Sequence, residues 1–265
     1  MRPARAVAPA RPPRSPRPAA RRVATGLAAA LLLPSLAEPA AAQLAGSIGV
    51  QNTYRLRGYS ISGGHPVATL DLYYDHPSGI YLNASGLGEL GHDANPEFLG
   101  YIVNIGYARR VGRQLSLDGG VVRTQFSHYA AGRSAGAHYT EIYAGLAGRG
   151  LSAHLHYSPD YYRRGASTLY GEIDGALKPA ENWQLSAHVG LLGYLDYPGA
   201  PTIRYRPRSV QYDWRIGAAR QFGAVSLHAD VSGGGPGAAS PYGASAYRYA
   251  RHQGTALTVG ANWVF

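Results

Sequence analysis

Three features of the sequence predict an all-β fold, a transmembrane antiparallel up-and-down β-barrel of about twelve strands. Apolar residues recur at every second position in runs of about ten residues, the period of a strand with one apolar face. Connectors between these runs alternate between long and short. The last run, Thr258-Val259-Gly260-Ala261-Asn262-Trp263-Val264-Phe265, ends on an aromatic residue.

Twelve runs follow from the alternation, at 44–57, 67–76, 80–87, 98–108, 115–126, 139–147, 151–158, 168–177, 183–193, 209–220, 225–231 and 255–265. In the fourth, Leu99, Tyr101, Val103, Ile105 and Tyr107 alternate with Gly100, Ile102, Asn104 and Gly106. Val210, Tyr212, Trp214 and Ile216 keep the same rhythm against Gln211, Asp213 and Arg215. Loops of about eight or more residues are expected after the odd-numbered runs, and tight links such as Pro77-Ser78-Gly79 and Gly148-Arg149-Gly150 after the even ones. A soluble meander has no reason to keep that parity.

Size decides which face points out. Twelve strands enclose a lumen too wide for apolar side chains to fill, so an apolar interior would leave a void. With the apolar set turned to lipid, the Gly, Ser, Asp, Glu and His set lines a wet interior. This assignment leaves no charged residue in the central part of the apolar face of any strand. An Arg or Lys at the midplane would cost about 2–4 kcal/mol there.

Composition agrees with strands and turns: 35 Gly, 21 Tyr and no Cys, which excludes a disulfide framework. The formal charge of +10 suggests nucleic acid until its distribution is considered. Residues 1–42 carry seven Arg and Glu38, and removing them brings the charge down to +4. Basic patches interleaved with aromatics are not concentrated on any later element, so nucleic acid is not an expected partner.

Residues 1–42 read as an export signal, with an Arg-rich start ending at Arg21-Arg22, an apolar stretch from Val23 to Leu36, and Ala40-Ala41-Ala42 before Gln43. The apolar stretch is too short to span a bilayer. Residues 43–265 are then the barrel, and a Gram-negative type of cell outer membrane is the expected location. Gly260, Trp263 and Phe265 form the expected assembly signal of the closing strand, to be read by barrel-assembly machinery. Trp183, Phe222, Trp263 and Phe265 all fall near the short-link side, where a periplasmic aromatic girdle belongs.

The stretch Asn52-Thr53-Tyr54-Arg55-Leu56-Arg57-Gly58-Tyr59-Ser60, followed by Pro66, Asp71 and Gly79-Ile80-Tyr81, resembles the opening of the TorF-type porin family. That resemblance covers about residues 52 to 85. It implies an outer-membrane barrel with a pore function and carries no substrate or catalytic residue with it.

The inward set by strand parity comprises Arg55, Arg57, Asp71, Asp75, Asp118, Glu141, His154, His156, Glu172, Asp174, His188, Asp213, Arg215, His228 and Asp230. Arg55 and Arg57 are expected just below the first external loop, either paired with Asp71 and Asp75 or forming an anion-attracting constriction. His154 and His156 beside Glu172 and Asp174 invite a metal site or acid-base hydrolysis, but also fit a hydrogen-bonded network that braces the barrel. No metal, cofactor or catalytic residue is expected: no helix follows the glycines from Gly233 to Gly237, and no nucleophile motif stands out.

The loops collect Arg133, Arg163, Arg164, Arg204, Arg206, Arg208, Arg248 and Arg251, beside Tyr161, Tyr162, Tyr205 and Tyr249, a set that fits either an ordinary solvated loop surface or one that binds lipopolysaccharide phosphates at the outer-membrane lipid rim or gathers anionic solutes. Passive diffusion of small hydrophilic solutes is the leading expectation. A hydrolase using the His/carboxylate lining and a closed structural or adhesive barrel are the alternatives.

Overall fold

A computed structural model describes residues 43–91, 94–127, 137–162, 164–196, 210–235 and 254–265. The expected leader at 1–42 and the loop residues Arg133, Arg163, Arg204, Tyr205, Arg206, Arg208, Arg248, Tyr249 and Arg251 lie outside them.

The chain forms a closed antiparallel barrel of twelve strands, each paired with its neighbours in sequence order. They are β1 (Gln43–Gln51), β4 (Val67–Asp75), β5 (Ile80–Leu90), β6 (Pro96–Val111), β7 (Leu115–Phe126), β8 (Ala137–Gly148), β9 (Leu151–Ser158), β10 (Ser167–Leu177), β11 (Trp183–Asp196), β12 (Val210–Phe222), β13 (Val225–Gly235) and β14 (Ala256–Val264). Two short strands outside the barrel wall, β2 (Arg55–Leu56) and β3 (Tyr59–Ser60), form a separate hairpin.

Closure joins β1 to β14, with Ser47 opposite Val264 and Gln51 opposite Gly260. Every strand then has two neighbours, so no backbone edge meets lipid. The outer wall is an apolar belt: Leu44, Ile105, Ile142, Ile173, Leu191 and Ile216 are all exposed. Among the residues flanking them, Asn104, Glu141, Glu172, Asp174 and Arg215 face the interior. An all-round belt of exposed aliphatics on a closed sheet is the wall of a transmembrane barrel. Trp183, Phe222, Trp263 and Phe265 stand exposed on this wall near the short-turn end, and the Arg220 guanidinium lies over the Trp183 and Phe222 rings at 5.3 and 4.8 Å.

Three sequence expectations are corrected. The first strand was expected over 44–57, but β1 ends at Gln51. Asn52 stops it: its side chain takes the Val259 N–H at 2.9 Å and donates to the Leu257 carbonyl at 3.1 Å, occupying the groups the ladder would use next. Arg57 (φ 49°) and Gly58 (φ 78°) then adopt left-handed backbone that no strand contains.

Leu99 was expected on the lipid face, but it is 1% exposed and points inward. Leu87 pairs with Gly100 and Gly88 with Phe98, so Leu99 is the extra residue of a bulge that reverses its side. The loop after the third barrel strand was expected to hold eight or more residues, yet it is only 91–95, because β5 and β6 run beyond the period-two signal. At the short-turn end the links are 76–79, 112–114, 149–150, 178–182 and 223–224.

Candidate functional site

The interior is built in two storeys. Nearest the long loops, residues 52–66 turn back into the barrel instead of standing above it. Tyr54, Ile61 and Ser62 are buried there, with Tyr54 and Ile61 packed among Val67, Leu87, Leu99, Ile102 and Phe126. Burying apolar side chains of this size contributes about 1.5–3 kcal/mol each, enough to draw the segment inside. The hairpin also ties itself together: the Ile61 N–H donates to the Tyr54 carbonyl at 2.8 Å, and the Tyr54 N–H to Ser62 Oγ at 3.0 Å.

Its tip crosses the barrel. Arg57 donates two hydrogen bonds to Glu141 on β8, at 2.8 and 2.7 Å, a paired fork that is strong when desolvated. Its guanidinium lies 3.9 Å from the Tyr170 ring centre and 5.8 and 5.6 Å from those of Tyr139 and Tyr161. Burial by itself would lower the Arg57 pKa, but Glu141 and the surrounding tyrosines hold it well above the ordinary arginine range. Tyr59 donates its hydroxyl to Gln211 on β12. Gly58 sits against β12 and β13: an added Cβ would lie 3.1 Å from the Gly234 Cα and 3.2 Å from the Asp213 Cβ.

Pairing with Asp71 and Asp75 was one of two expectations for Arg55 and Arg57, and the bonds observed lead elsewhere. Arg57 reaches Glu141 on the far wall, while Arg55 donates to the Gly58 and Gly254 carbonyls at 2.7 and 3.0 Å. Asp71 is satisfied instead by the hydroxyls of Ser47 and Ser85, at 3.2 and 2.6 Å. Once residues 52–57 leave the strand, their register against β4 no longer exists, so proximity in sequence does not bring these charges together. Arg55 borders a cavity of about 270 Å³ at the long-loop end, lined also by Asn52, Thr53, Ser60 and Thr255.

Below the hairpin a ladder of titratable side chains runs along the wall from β8 to β12. His156 stands between Glu141 at 3.8 Å and Glu172 at 3.2 Å. His188 bridges Asp174 at 2.9 Å and Asp213 at 2.8 Å through its two ring nitrogens, and the Tyr170 hydroxyl joins both His188 and Asp213. Arg215 lies 4.0 Å from Asp174. A second group, His154 with Asp118 at 3.3 Å and Tyr81 with Asp118 at 3.0 Å, sits on β5, β7 and β9. Asp75, His228 and Asp230 share the inward parity, and His228 and Asp230 lie within electrostatic reach of Arg215 at the end of the ladder.

Glu172, Asp174 and His188 offer ligand atoms within 4.8 Å of one another. Both His188 nitrogens already meet carboxylates, so binding a metal there would require breaking one of those bonds. Of the two serines flanking the histidine pair, Ser158 donates to the Thr140 carbonyl at 2.9 Å.

Sequence reasoning missed the tyrosines. Tyr139, Tyr143 and Tyr170 share inward parity with Glu141 and Glu172, a signal visible in the alternation. At the seam, Phe265 exchanges two backbone hydrogen bonds with Gly46, at 3.0 and 3.1 Å. Its ring covers Gly46, where any Cβ would fall 2.7 Å from ring atoms.

The family described as "Bacterial protein of unknown function (Gcw_chp)" matches residues 37–247. No curated protein matches the chain by sequence. Among solved structures, the chain is similar to the KdgM porin in complex with disordered oligogalacturonate, at 12% identity over 84% of this chain and 99% of that one, with TM-score 0.48. It is similar to the NanC porin at 11% identity over 84% and 98%, with TM-score 0.49. The toluene transporter TodX of Pseudomonas putida is similar at 10% identity over 86% and 89%, with TM-score 0.40.

Proposed function

Since the chain belongs to the Gcw_chp family of bacterial proteins, and its polar side chains are gathered inside a closed transmembrane barrel, we propose that it is an outer-membrane porin for small hydrophilic solutes. The observation that carries this reading is the division of the wall, apolar outside and lined inside with carboxylates, imidazoles and hydroxyls. In this reading the long loops face the cell exterior, both termini of the barrel lie in the periplasm, and residues 1–42 direct export. The resemblance of residues 52 to 85 to the TorF-type family supports the same conclusion.

Solutes would enter past the inward hairpin and descend along the His/carboxylate ladder, which selects by charge. The hairpin narrows the upper lumen, and this favours a second reading, a closed barrel acting through its loops. Planar-bilayer recording of the purified, folded protein separates the two. Discrete conductance steps support the porin; silence under every voltage and salt condition would leave the closed barrel.

A further inference from the structure

The outer wall carries one feature that solute passage does not use. Arg123 on β7 has the parity of Val121, Leu117 and Leu115, which are exposed on the lipid face. It is paired in register with Thr140 on β8, and its Nη1 donates to Thr140 Oγ1 at 2.9 Å. The row below is Val121 with Ile142, both exposed and apolar; the row above is Gln125 with His138. On β6 the Tyr101 hydroxyl donates to Gln125 at 3.1 Å. Arg123 therefore begins the first polar row above the apolar belt on the long-loop side of this sector. Among the described residues no carboxylate pairs with it.

An Arg on a lipid-facing wall costs about 2–4 kcal/mol at the midplane but little near the interface, where headgroup phosphates can meet it. The bond to Thr140 uses one of five guanidinium N–H donors and holds the planar group in place, leaving a fork suited to a phosphate. His138 and Gln125 add donors one row higher. We propose that Arg123, with Gln125, His138 and Tyr101, forms a docking site on the outer wall for a phosphate of lipopolysaccharide lipid A in the external leaflet. The apolar belt below, at Val121 and Ile142, would receive the acyl chains of the same molecule. This site rests on the outer-membrane reading and is independent of whether the lumen conducts.

The test is native mass spectrometry of the full-length folded barrel in detergent, titrated with bisphosphorylated lipid A and with the same lipid stripped of both phosphates. Wild type should prefer the phosphorylated form, Arg123→Ala should weaken its binding about tenfold, and Arg123→Lys should recover part of the loss. Binding of the phosphate-free lipid should not change in either variant. Equal binding of both lipids, or an Arg123→Ala protein that binds like wild type, would overturn the site. Heat-modifiable gel mobility in lipid vesicles is read alongside: a chain that never inserts fails the outer-membrane reading, whereas one that inserts yet ignores the phosphates fails only this proposal.

Discussion

Arg57 and Glu141, 84 residues apart in sequence, meet inside the barrel through two parallel hydrogen bonds, with side chains only 8% and 2% exposed. This pair holds the 52–66 hairpin across the lumen. Removing one partner of a buried pair costs about 3–5 kcal/mol because the other charge is left uncompensated. Glu141→Gln and Arg57→Ala should therefore release the hairpin while the wall, held by its own ladders, still folds. Single-channel conductance should rise several-fold in both, and unchanged conductance would mean the hairpin does not limit passage.

The latch should be insensitive to alkali. Arg57 is raised above its ordinary value, so the stability it contributes is fully present below that value and lost only as pH rises through the higher folded one. Both lie beyond the usable alkaline range. Conductance should hold steady between pH 7 and pH 10, and an abrupt opening within that interval would contradict a latch based on arginine.

Gly58 offers a gentler lever. A Cβ there meets the Gly234 backbone and Asp213 in a left-handed conformation (φ 78°), so Gly58→Ala should loosen the tip by about 1 kcal/mol or more. Current noise from hairpin motion should increase without loss of folded yield. Traces indistinguishable from wild type would show that the tip tolerates displacement.

Charge selectivity follows from the interior. Eight inward carboxylates, Asp71, Asp75, Asp118, Glu141, Glu172, Asp174, Asp213 and Asp230, outnumber Arg55, Arg57 and Arg215. Carboxylate-rich linings favour cations, and a basic outer vestibule is screened within about 8 Å at physiological salt. Reversal potentials under a salt gradient should show weak cation preference at neutral pH. Anion preference at neutral pH would refute the charge count as the determinant.

Phe265 closes the seam through its two backbone bonds to Gly46 and the ring that covers it. Deleting Phe265 should sharply lower the fraction of chain showing heat-modifiable mobility in outer-membrane preparations. An undiminished folded fraction would remove this residue from the assembly signal.

The alternation in sequence was sufficient for the strand count and the sidedness of almost every strand, because each depends on neighbours two residues apart. Asp213, His188 and Glu172 could be placed on the interior face in this way without any knowledge of what they touch. Their partners were not legible, since which strands face one another across a closed lumen depends on tilt and stagger, which periodicity does not encode. The bulge at Leu99 was hidden for a related reason: one extra residue reverses a side chain without disturbing composition. The hairpin at 52–66 continues the period-two pattern of β1 through Leu56, so the sequence by itself extends the strand. Only the tertiary structure decides otherwise, because Tyr54 and Ile61 find apolar partners on β4, β5, β6 and β7, and Arg57 finds Glu141 on β8, once the barrel has closed around them.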